Sequence, residues 1–342
     1  MNKKLAGLGE TLKGSGLLAD GNLVKLFAVT VVVFVAMSAI NPDLFLTTAN
    51  FRSMAFQLPE LGFLAIATTF VIISGGIDLS IVSIANLAGV AGAFMLAHAR
   101  ETEQTGVELA ATFALVFAVS IVIGCLCGWI NGFFISRFNI PPILVTLGTM
   151  YLFTGIGLVL TKGRAISGFP DSFLVLGNGD VFGVPILLIM LVAALIVAAY
   201  ILNKTPYGFK LRFLGSNPIA SWFSGVHNPS VIMKTYMLSG LLAAIVGIIF
   251  LARMNSAKVD YGNSYILHAI LVALLGGVKP EGGYGKITGI VLALISLQFL
   301  TSGFNMLRLN AFYKDLVWGA LLLLVMVINH ISGKRTLKLK GK

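Results

Sequence analysis

Apolar stretches long enough to cross a lipid bilayer recur along almost the whole chain. A membrane-spanning helix needs about 20 consecutive apolar residues, and only helices or closed barrels satisfy their backbone hydrogen bonds in lipid. The stretches are continuous rather than alternating, which is typical of helices and not of barrel strands. We therefore predict an all-α, polytopic membrane protein with about ten transmembrane helices. The predicted spans are 23–41, 55–74, 79–98, 107–135, 142–161, 183–203, 231–252, 263–278, 286–302 and 314–332.

The charged residues indicate how these helices are oriented. Only 11% of the residues are charged, whereas soluble proteins carry roughly 25%. With the N-terminus inside, the inner segments hold about twice as many of the 24 Lys and Arg residues as the outer ones. The positive-inside rule then predicts that both termini lie in the cytoplasm. The net charge of +11 is therefore explained mainly by topology and does not indicate nucleic-acid binding.

The first apolar run follows a long polar leader and has no small-residue cleavage site, so we expect a retained helix rather than a signal peptide. Catalysis by this chain is not expected. The four histidines are scattered, Cys125 and Cys127 face different sides of one helix, and no metal-binding or nucleophile motif occurs. We predict no catalytic residue, no metal site and no cofactor bound by this chain.

A carboxylate inside an apolar region is costly, and Asp78 is the main example, with Glu60 near an outer helix end. Asp78 follows Gly75 and Gly76 and precedes Ser80 in a short turn between two predicted spans. One interpretation is an N-cap of the third span, with the carboxylate accepting free amide protons. The alternatives are a proton-relay carboxylate and a gating or partner contact.

Two predicted inner loops are unusual. Residues 204–230 are too long for a simple connector, and Asn217-Pro218 predicts a capped, short amphipathic helix that ends at Gly225. This helix either lies on the membrane surface or binds a cytoplasmic partner. Residues 274–289 contain five glycines that allow a tight turn or a close approach of another segment: Gly276, Gly277, Gly282, Gly283 and Gly285. The pattern is not a phosphate-binding loop, because Gly285-Lys286 is followed by isoleucine.

Uncharged polar side chains also occur within the predicted spans. Such groups hydrogen-bond a hydroxyl-rich solute without fixing a charge, so they are candidates for lining a pathway. The alternative is that they join neighbouring helices to one another. The candidate pathway residues are Asn86, Thr146, Thr149, Gln298 and Asn305.

Four ordered motifs resemble those of a known family. They are FVIISGGIDLS (70–80), NIPPILVTLGTMYLFTGIGLVLT (139–161), TPYGFKLRFLGSNPIASWFSGV (205–226) and LLGGVKPEGGYGKITG (274–289). Together they resemble the ribose/simple-sugar permease family of bacterial ABC importers, and the resemblance covers essentially the whole chain. It implies a single permease domain over 1–342 in the bacterial inner (cytoplasmic) membrane, which carries a monosaccharide or a similar small polar solute.

The resemblance also implies partners. These are a cytoplasmic ABC ATPase that binds ATP and Mg, a periplasmic solute-binding protein, and a second permease copy in a homodimer or heterodimer. The 204–230 loop would then hold the cytoplasmic coupling helix that contacts the ATPase. The residues implied in this contact are Ser216, Asn217, Ala220, Ser221 and Gly225.

The sequence departs from the family pattern at Val82, where relatives carry glycine, and at Val278-Lys279 after the second glycine pair. Residues 166–173 and 256–270 are similar to those of the autoinducer-2 branch, so autoinducer-2 or a nucleoside is an alternative solute. From a different class, a stand-alone ion-coupled carrier that uses Asp78 is a second hypothesis. A structural or receptor-like membrane protein is a third.

Overall fold

A computed structural model describes residues 21–340 of the chain. The predicted location of both chain ends, and the outermost parts of the predicted 1–342 domain, lie outside the described residues. The helices are α1 Gly21–Ile40, α2 Pro42–Phe45, α3 Thr48–Ile73, α4 Ile81–Glu101, α5 Gly106–Phe138, α6 Pro142–Thr161, α7 Asp171–Asn178, α8 Ile186–Lys204, α9 Pro206–Ser216, α10 Pro218–Phe223, α11 Asn228–Met254, α12 Tyr265–Leu275, α13 Ile287–Met306 and α14 Ala311–Lys340. Four two-residue strands complete the fold: β1 Ile166–Ser167, β2 Asp180–Val181, β3 Val184–Pro185 and β4 Ser256–Ala257.

Within the described part of the chain, eight helices are long and apolar enough to cross a membrane. They correspond to the first seven predicted spans and the ninth, and α14 contains the tenth. The predicted span 263–278 is corrected, because α12 has only 11 residues. At 1.5 Å per residue it covers about half of the hydrocarbon thickness. The helix ends where Gly276 and Gly277 turn the chain. The fold is an all-α, polytopic membrane protein.

The long helices form a buried centre and a periphery. Helices α3, α4, α11 and α13 are mostly buried, whereas α1, α5, α6 and α8 expose most of their residues although they are just as apolar. A helix that is apolar all round is stable at the surface only where the surroundings are lipid. The exposed apolar side chains of the outer helices are therefore those expected to contact the bilayer.

Helix α11 is the central packing element, and glycines allow its neighbours to approach it closely. A Cβ atom added at Gly128 of α5 would overlap the Tyr236 carbonyl, and one at Gly124 would overlap the Gly240 carbonyl. On α4, Gly89 faces Gly247 of α11, and a Cβ atom added at Gly247 would overlap the Ala85 carbonyl. Small residues at such spacing let helix backbones pack directly in a membrane, where no hydrophobic force drives the helices together.

One end of the bundle, the hairpin end, carries the four strands. Strand β1 pairs antiparallel with β4, and β2 pairs with β3. Helix α7 packs on the end of α11, where Gly177 contacts the backbone of Ala252 and the Asn178 side chain donates to the Ala252 carbonyl over 3.0 Å. The sequence motifs did not predict these strands or α7, because segments of two to eight residues carry too little periodicity.

We expect Gly128→Ala to destabilise the protein, because its methyl group forces α5 away from α11. The expected cost is about 1–3 kcal/mol, typical of overpacking. Thermal unfolding of the purified protein in lipid discs measures this effect. The matched control is Gly148→Ala on the exposed side of α6, where no atom lies within 4 Å of the added carbon. An equal effect of the two substitutions would mean that the close α5–α11 contact does not limit stability.

Candidate functional site

The two Gly-Gly motifs form turns of the same geometry. After α3, Gly75 has φ +87° and the Gly76 amide donates to the Val71 carbonyl over 3.1 Å. After α12, Gly277 has φ +85° and the Val278 amide donates to the Ala273 carbonyl over 3.1 Å. Each helix is therefore followed by a residue in the left-handed backbone conformation, which glycine adopts at little cost in free energy. The resemblance between the two motifs in sequence is a resemblance in backbone structure.

Three segments that are distant in sequence meet at the end of α3. The Gly283 amide donates to the Ile73 carbonyl over 2.9 Å. Gly215, at the end of α9, lies directly over that carbonyl and against the Gly283 amide, with no room for a Cβ atom. Gly283 itself has φ +77° and contacts Ser216. We call this contact of residues 73–76, 215–216 and 282–283 the junction, and the bundle end that holds it the junction end.

Asp78 lies beside the junction and is fully buried. Its Oδ1 atom accepts from the Ser80 hydroxyl over 2.6 Å and from the Ser80 amide over 2.9 Å, and its Oδ2 atom accepts from the Ser239 hydroxyl of α11 over 2.8 Å. The predicted N-cap role is corrected: Ser80, not Asp78, is the N-cap residue of α4. Asp78 precedes the cap by two residues, so its carboxylate closes the turn and links it to α11 instead of capping the helix.

The hydrogen-bond network continues from Ser80 into two further helices. The Asn131 side chain of α5 donates to the Ser80 hydroxyl over 2.7 Å, and the Thr149 hydroxyl of α6 donates to the Asn131 side-chain Oδ1 atom over 2.7 Å. Thr146 donates to the Ile77 carbonyl over 3.1 Å. The network therefore connects the 74–80 turn with α5, α6 and α11. Ser239 gave no signal in the sequence, because a single serine in an apolar helix is common.

Residues 204–230 form two short helices next to the junction. Asn217 caps α10, because its side chain accepts from the Ala220 amide over 2.9 Å, and Pro218 occupies the first turn. Gly225 follows the helix with φ +79°. Ser216 is the last residue of α9. The capped helix predicted from the sequence is present, and a second helix, α9, precedes it.

Helix α10 is anchored on one side and exposed on the other. The buried Ser221 hydroxyl donates to the Asn228 side chain over 2.9 Å, and Asn228 donates to the Pro218 carbonyl over 2.8 Å. The opposite side exposes two adjacent aromatic side chains, Trp222 at 65% and Phe223 at 79%. An aromatic pair held in a fixed position outside the core is typical of an interaction surface.

The five candidate pathway residues are not brought together. Thr146 and Thr149 belong to the Asp78 network, while Asn86 of α4 donates to the Val259 and Tyr261 carbonyls over 2.7 and 2.9 Å. Gln298 contacts Gln57 over 3.3 Å, and Asn305 accepts from Lys314. Each therefore has a bond within the chain that joins helices or loops.

A separate buried ion pair lies at the hairpin end. Glu60 of α3 is 1% exposed and pairs with Arg253 at 2.5 Å, and the Tyr265 hydroxyl donates to its other oxygen over 2.8 Å. A carboxylate at this depth requires such partners. The sequence identified Glu60 as unusual but not its partners, which come from the ends of α11 and α12.

A bundle of long apolar helices with short helices anchored at one end defines the class of multi-pass membrane proteins. The chain belongs to the family described as "Branched-chain amino acid transport system / permease component", whose model matches residues 50–326. It is a multi-pass inner-membrane protein, and eight helices in the described part of the chain are long and apolar enough to cross a membrane.

Curated relatives cover almost the full chain. The chain is 33% identical over 315 residues to the ribose import permease protein RbsC of Haemophilus influenzae, covering 90% of this chain and 94% of the relative. It is also 33% identical to RbsC of Bacillus subtilis, with 91% and 94% covered. It is 32% identical to the autoinducer 2 import system permease protein LsrD of Escherichia coli K12, with 90% and 92% covered. No solved structure matches the chain.

We expect Asp78→Ala to destabilise the protein by about 2–4 kcal/mol, because it leaves buried hydroxyl and amide donors without an acceptor. Asp78→Asn is expected to cost much less, since its amide keeps an oxygen for Ser80 and offers a donor to Ser239. Thermal unfolding in lipid discs measures both. The control is Asp180→Ala, which removes an exposed pair with Arg52 and should change stability by under about 1 kcal/mol. Equal losses for the Ala and Asn variants would show that the negative charge itself is required.

Proposed function

We propose that the chain is the membrane-spanning permease subunit of an ATP-driven ABC importer of a monosaccharide or a similar small polar solute. Relatives of similar identity are named as ribose and autoinducer-2 import permeases, which supports a small, hydroxyl-rich solute. The identities of 33% and 32% do not separate these two solutes, and a nucleoside is a further candidate.

The observation that carries the proposal is the anchored, exposed helix α10. Trp222 and Phe223 lie outside the core on a helix fixed by Asn217 and Asn228, so a partner can bind there without first ordering the segment. The partner we propose is a cytoplasmic ATPase subunit that holds ATP and Mg. The Lys and Arg bias of the loops supports a cytoplasmic location for this end and for both termini.

The junction supplies a route for motion of this helix to reach the membrane-spanning core. Gly215 and Ser216 immediately precede α10 and contact the end of α3 and the 282–283 segment. A displacement of α10 by the ATPase therefore acts on α3 and α13 without a flexible linker between them. In this proposal, the glycines of the two turns and of the following loop permit close backbone contact. They are Gly75, Gly76, Gly276, Gly277, Gly282, Gly283 and Gly285.

In the complete importer, we propose, a second permease copy and an external solute-binding protein join this chain. The candidate pathway residues are not brought together, because each forms its hydrogen bonds at a different place within one chain. This arrangement supports a pathway between two copies rather than through one. Whether the second copy is identical or related does not alter the role proposed for α10.

The stand-alone carrier is the alternative from another class. It requires a carboxylate that gains and loses a proton during transport. Asp78 accepts three hydrogen bonds from Ser80 and Ser239, and breaking this set at each cycle would open the α3–α4 turn. This arrangement favours a structural role for Asp78.

We expect the double variant Trp222→Ala/Phe223→Ala to lower the affinity for the co-expressed ATPase by about 100-fold or more, because two exposed aromatic anchors are lost. Titration of the ATPase onto the permease in lipid discs measures this affinity without requiring a known solute. The control is Phe182→Ala at the hairpin end, where the side chain is fully exposed.

Uptake into sealed vesicles then tests the transport function with labelled ribose, autoinducer-2 and a nucleoside as probes. We expect uptake to require the ATPase and ATP, and to be lost in the double variant but not in Phe182→Ala. Uptake that continues on a proton gradient without the ATPase would contradict the proposal. Loss of this proton-driven uptake in Asp78→Asn would favour the stand-alone carrier.

A further inference from the structure

Helix α12 begins inside the bundle rather than at its surface. Its last residue is followed by Gly276, whose carbonyl lies directly against Gly289 in the first turn of α13. At 1.5 Å per residue, the 11 residues of α12 rise about 16 Å from this level, whereas the 20 residues of α13 rise about 30 Å. The hydrocarbon layer of a bilayer is also about 30 Å thick. Tyr265, the first residue of α12, therefore lies well inside the membrane-spanning depth.

The chain reaches this point through a non-helical segment that turns back into the bundle. After α11 ends at the hairpin end, β4 pairs with β1, and residues 258–264 then lead to α12. Val259 packs against Gly157 of α6. The Asn86 side chain of α4 donates to the carbonyls of Val259 and Tyr261 over 2.7 and 2.9 Å. We call residues 258–264 the re-entrant segment, because they lie between long helices and not on the surface of the bundle.

Polar side chains hold the start of α12 at this depth. The Tyr265 hydroxyl donates to Glu60 of α3 over 2.8 Å, and Glu60 also pairs with Arg253. Gln298, near the middle of α13, donates to Gln57 over 3.3 Å, and Gln57 lies one turn before Glu60 on α3. Four helices therefore contribute polar groups at the level where α12 begins.

One side of the re-entrant segment is not covered by the described residues. Asp260, Asn263 and Ser264 are exposed, and Ser264 makes no side-chain capping bond to α12. Lys258 and Asp260 form an exposed ion pair on the same segment. Irregular backbone occurs at membrane depth only where it is buried in protein or lines a water-filled space, and charged side chains there follow the same rule. The uncovered side therefore faces water and not lipid.

We propose that the re-entrant segment is the part of this chain that contacts the transported solute. This inference rests on the proposed function as a permease subunit. The Asn263 amide and the Ser264 hydroxyl both donate and accept hydrogen bonds, as a solute with several hydroxyl groups requires. Helices that are interrupted inside the membrane are frequent solute-binding elements in transporters. The solute reaches the segment from the hairpin end, which is the outer side in the proposed orientation.

The charges around the segment favour an uncharged solute. The Lys258 ammonium pairs with the Asp260 carboxylate at 2.8 Å, and the Arg253 guanidinium pairs with Glu60. Each pair neutralises itself, so neither offers a free charge to the carboxylate or the ammonium group of an amino acid. Burying such a group without a counter-charge is costly. A neutral, hydroxyl-rich solute fits this site better than an amino acid does.

Cysteine labelling in right-side-out vesicles tests the contact with water, in the complete complex with the ATPase and the solute-binding protein. Cys125→Ala/Cys127→Ala removes the native thiols, and Asn263→Cys or Ser264→Cys introduces one. A charged, membrane-impermeant methanethiosulfonate is added outside. It attacks the thiolate, which apolar surroundings suppress, so we expect labelling at least about 100-fold faster than in a lipid-facing control.

Two matched variants set the range of labelling rates. Val32→Cys lies in the middle of the outer helix α1 at a position that is 66% exposed, and it reports the rate in lipid. Phe182→Cys lies at the hairpin end at a fully exposed position, and it reports the rate in free water. All four introduced cysteines occupy exposed positions, so loss of the fold is not expected to decide the outcome.

Protection by solute then tests the contact itself. Ribose, autoinducer-2, a nucleoside and leucine are the probes. We expect a transported neutral probe to slow labelling of Ser264→Cys about tenfold at about ten times its dissociation constant, and not to slow labelling of Phe182→Cys. We also expect Asn263→Ala to raise the solute concentration that gives half-maximal uptake.

Three results would overturn the proposal. One is labelling of Asn263→Cys and Ser264→Cys as slow as that of Val32→Cys; if ATP-dependent uptake is intact, the proposed function stands and only the site fails. The second is labelling that no transported probe slows. The third is protection by leucine alone, which would contradict the uncharged solute class. By contrast, protection by a neutral probe that crosses without ATP would support the site and overturn the proposed function.

Discussion

The structure depends on one close contact, in which three backbone segments meet at the Ile73 carbonyl with almost no side-chain atoms between them. The Gly283 amide satisfies that carbonyl, and Gly215 covers the bond. A buried carbonyl at a helix end must find a donor, and here the donor comes from more than 200 residues further along the chain. This contact fixes the 204–230 segment against α3 and the start of α13. The position of α10 follows from it.

The hydrogen-bond network of Asp78 stabilises the same region through side chains rather than through close backbone contact. Its carboxylate holds the 74–80 turn to α11 through Ser239, while Ser80 connects the turn to Asn131 and Thr149. The buried polar groups of this network are therefore partners of one another, as expected where water is excluded. The glycine contact and the carboxylate network together make the junction end a rigid base for the exposed α10.

Sequence analysis predicted most of the fold, because continuous apolar runs and caps act locally. The runs identified the long helices, and Asn217-Pro218 identified α10 with its cap. Contacts between residues that are far apart in the sequence could not be predicted. Nothing near Asp78 indicated that Ser239 would bind it, so its role was assigned to the helix end instead. The sequence indicated that the glycines permit close approach of the backbone, but it did not indicate which segments approach one another. The 11-residue length of α12 was missed because the predicted span 263–278 included two polar residues before the helix and the Gly276-Gly277 turn after it.

Amide hydrogen exchange in the full chain in lipid discs tests most directly whether the junction is one connected unit. The comparison is between the wild-type protein and Gly215→Ala, with Gly155→Ala in α6 as a control that meets no atom within 4 Å. The account predicts that Gly215→Ala speeds exchange at both 71–80 and 276–286, segments far from residue 215 in sequence, while Gly155→Ala does not. Unchanged exchange in both segments would contradict the account, because the three segments would then not depend on one another.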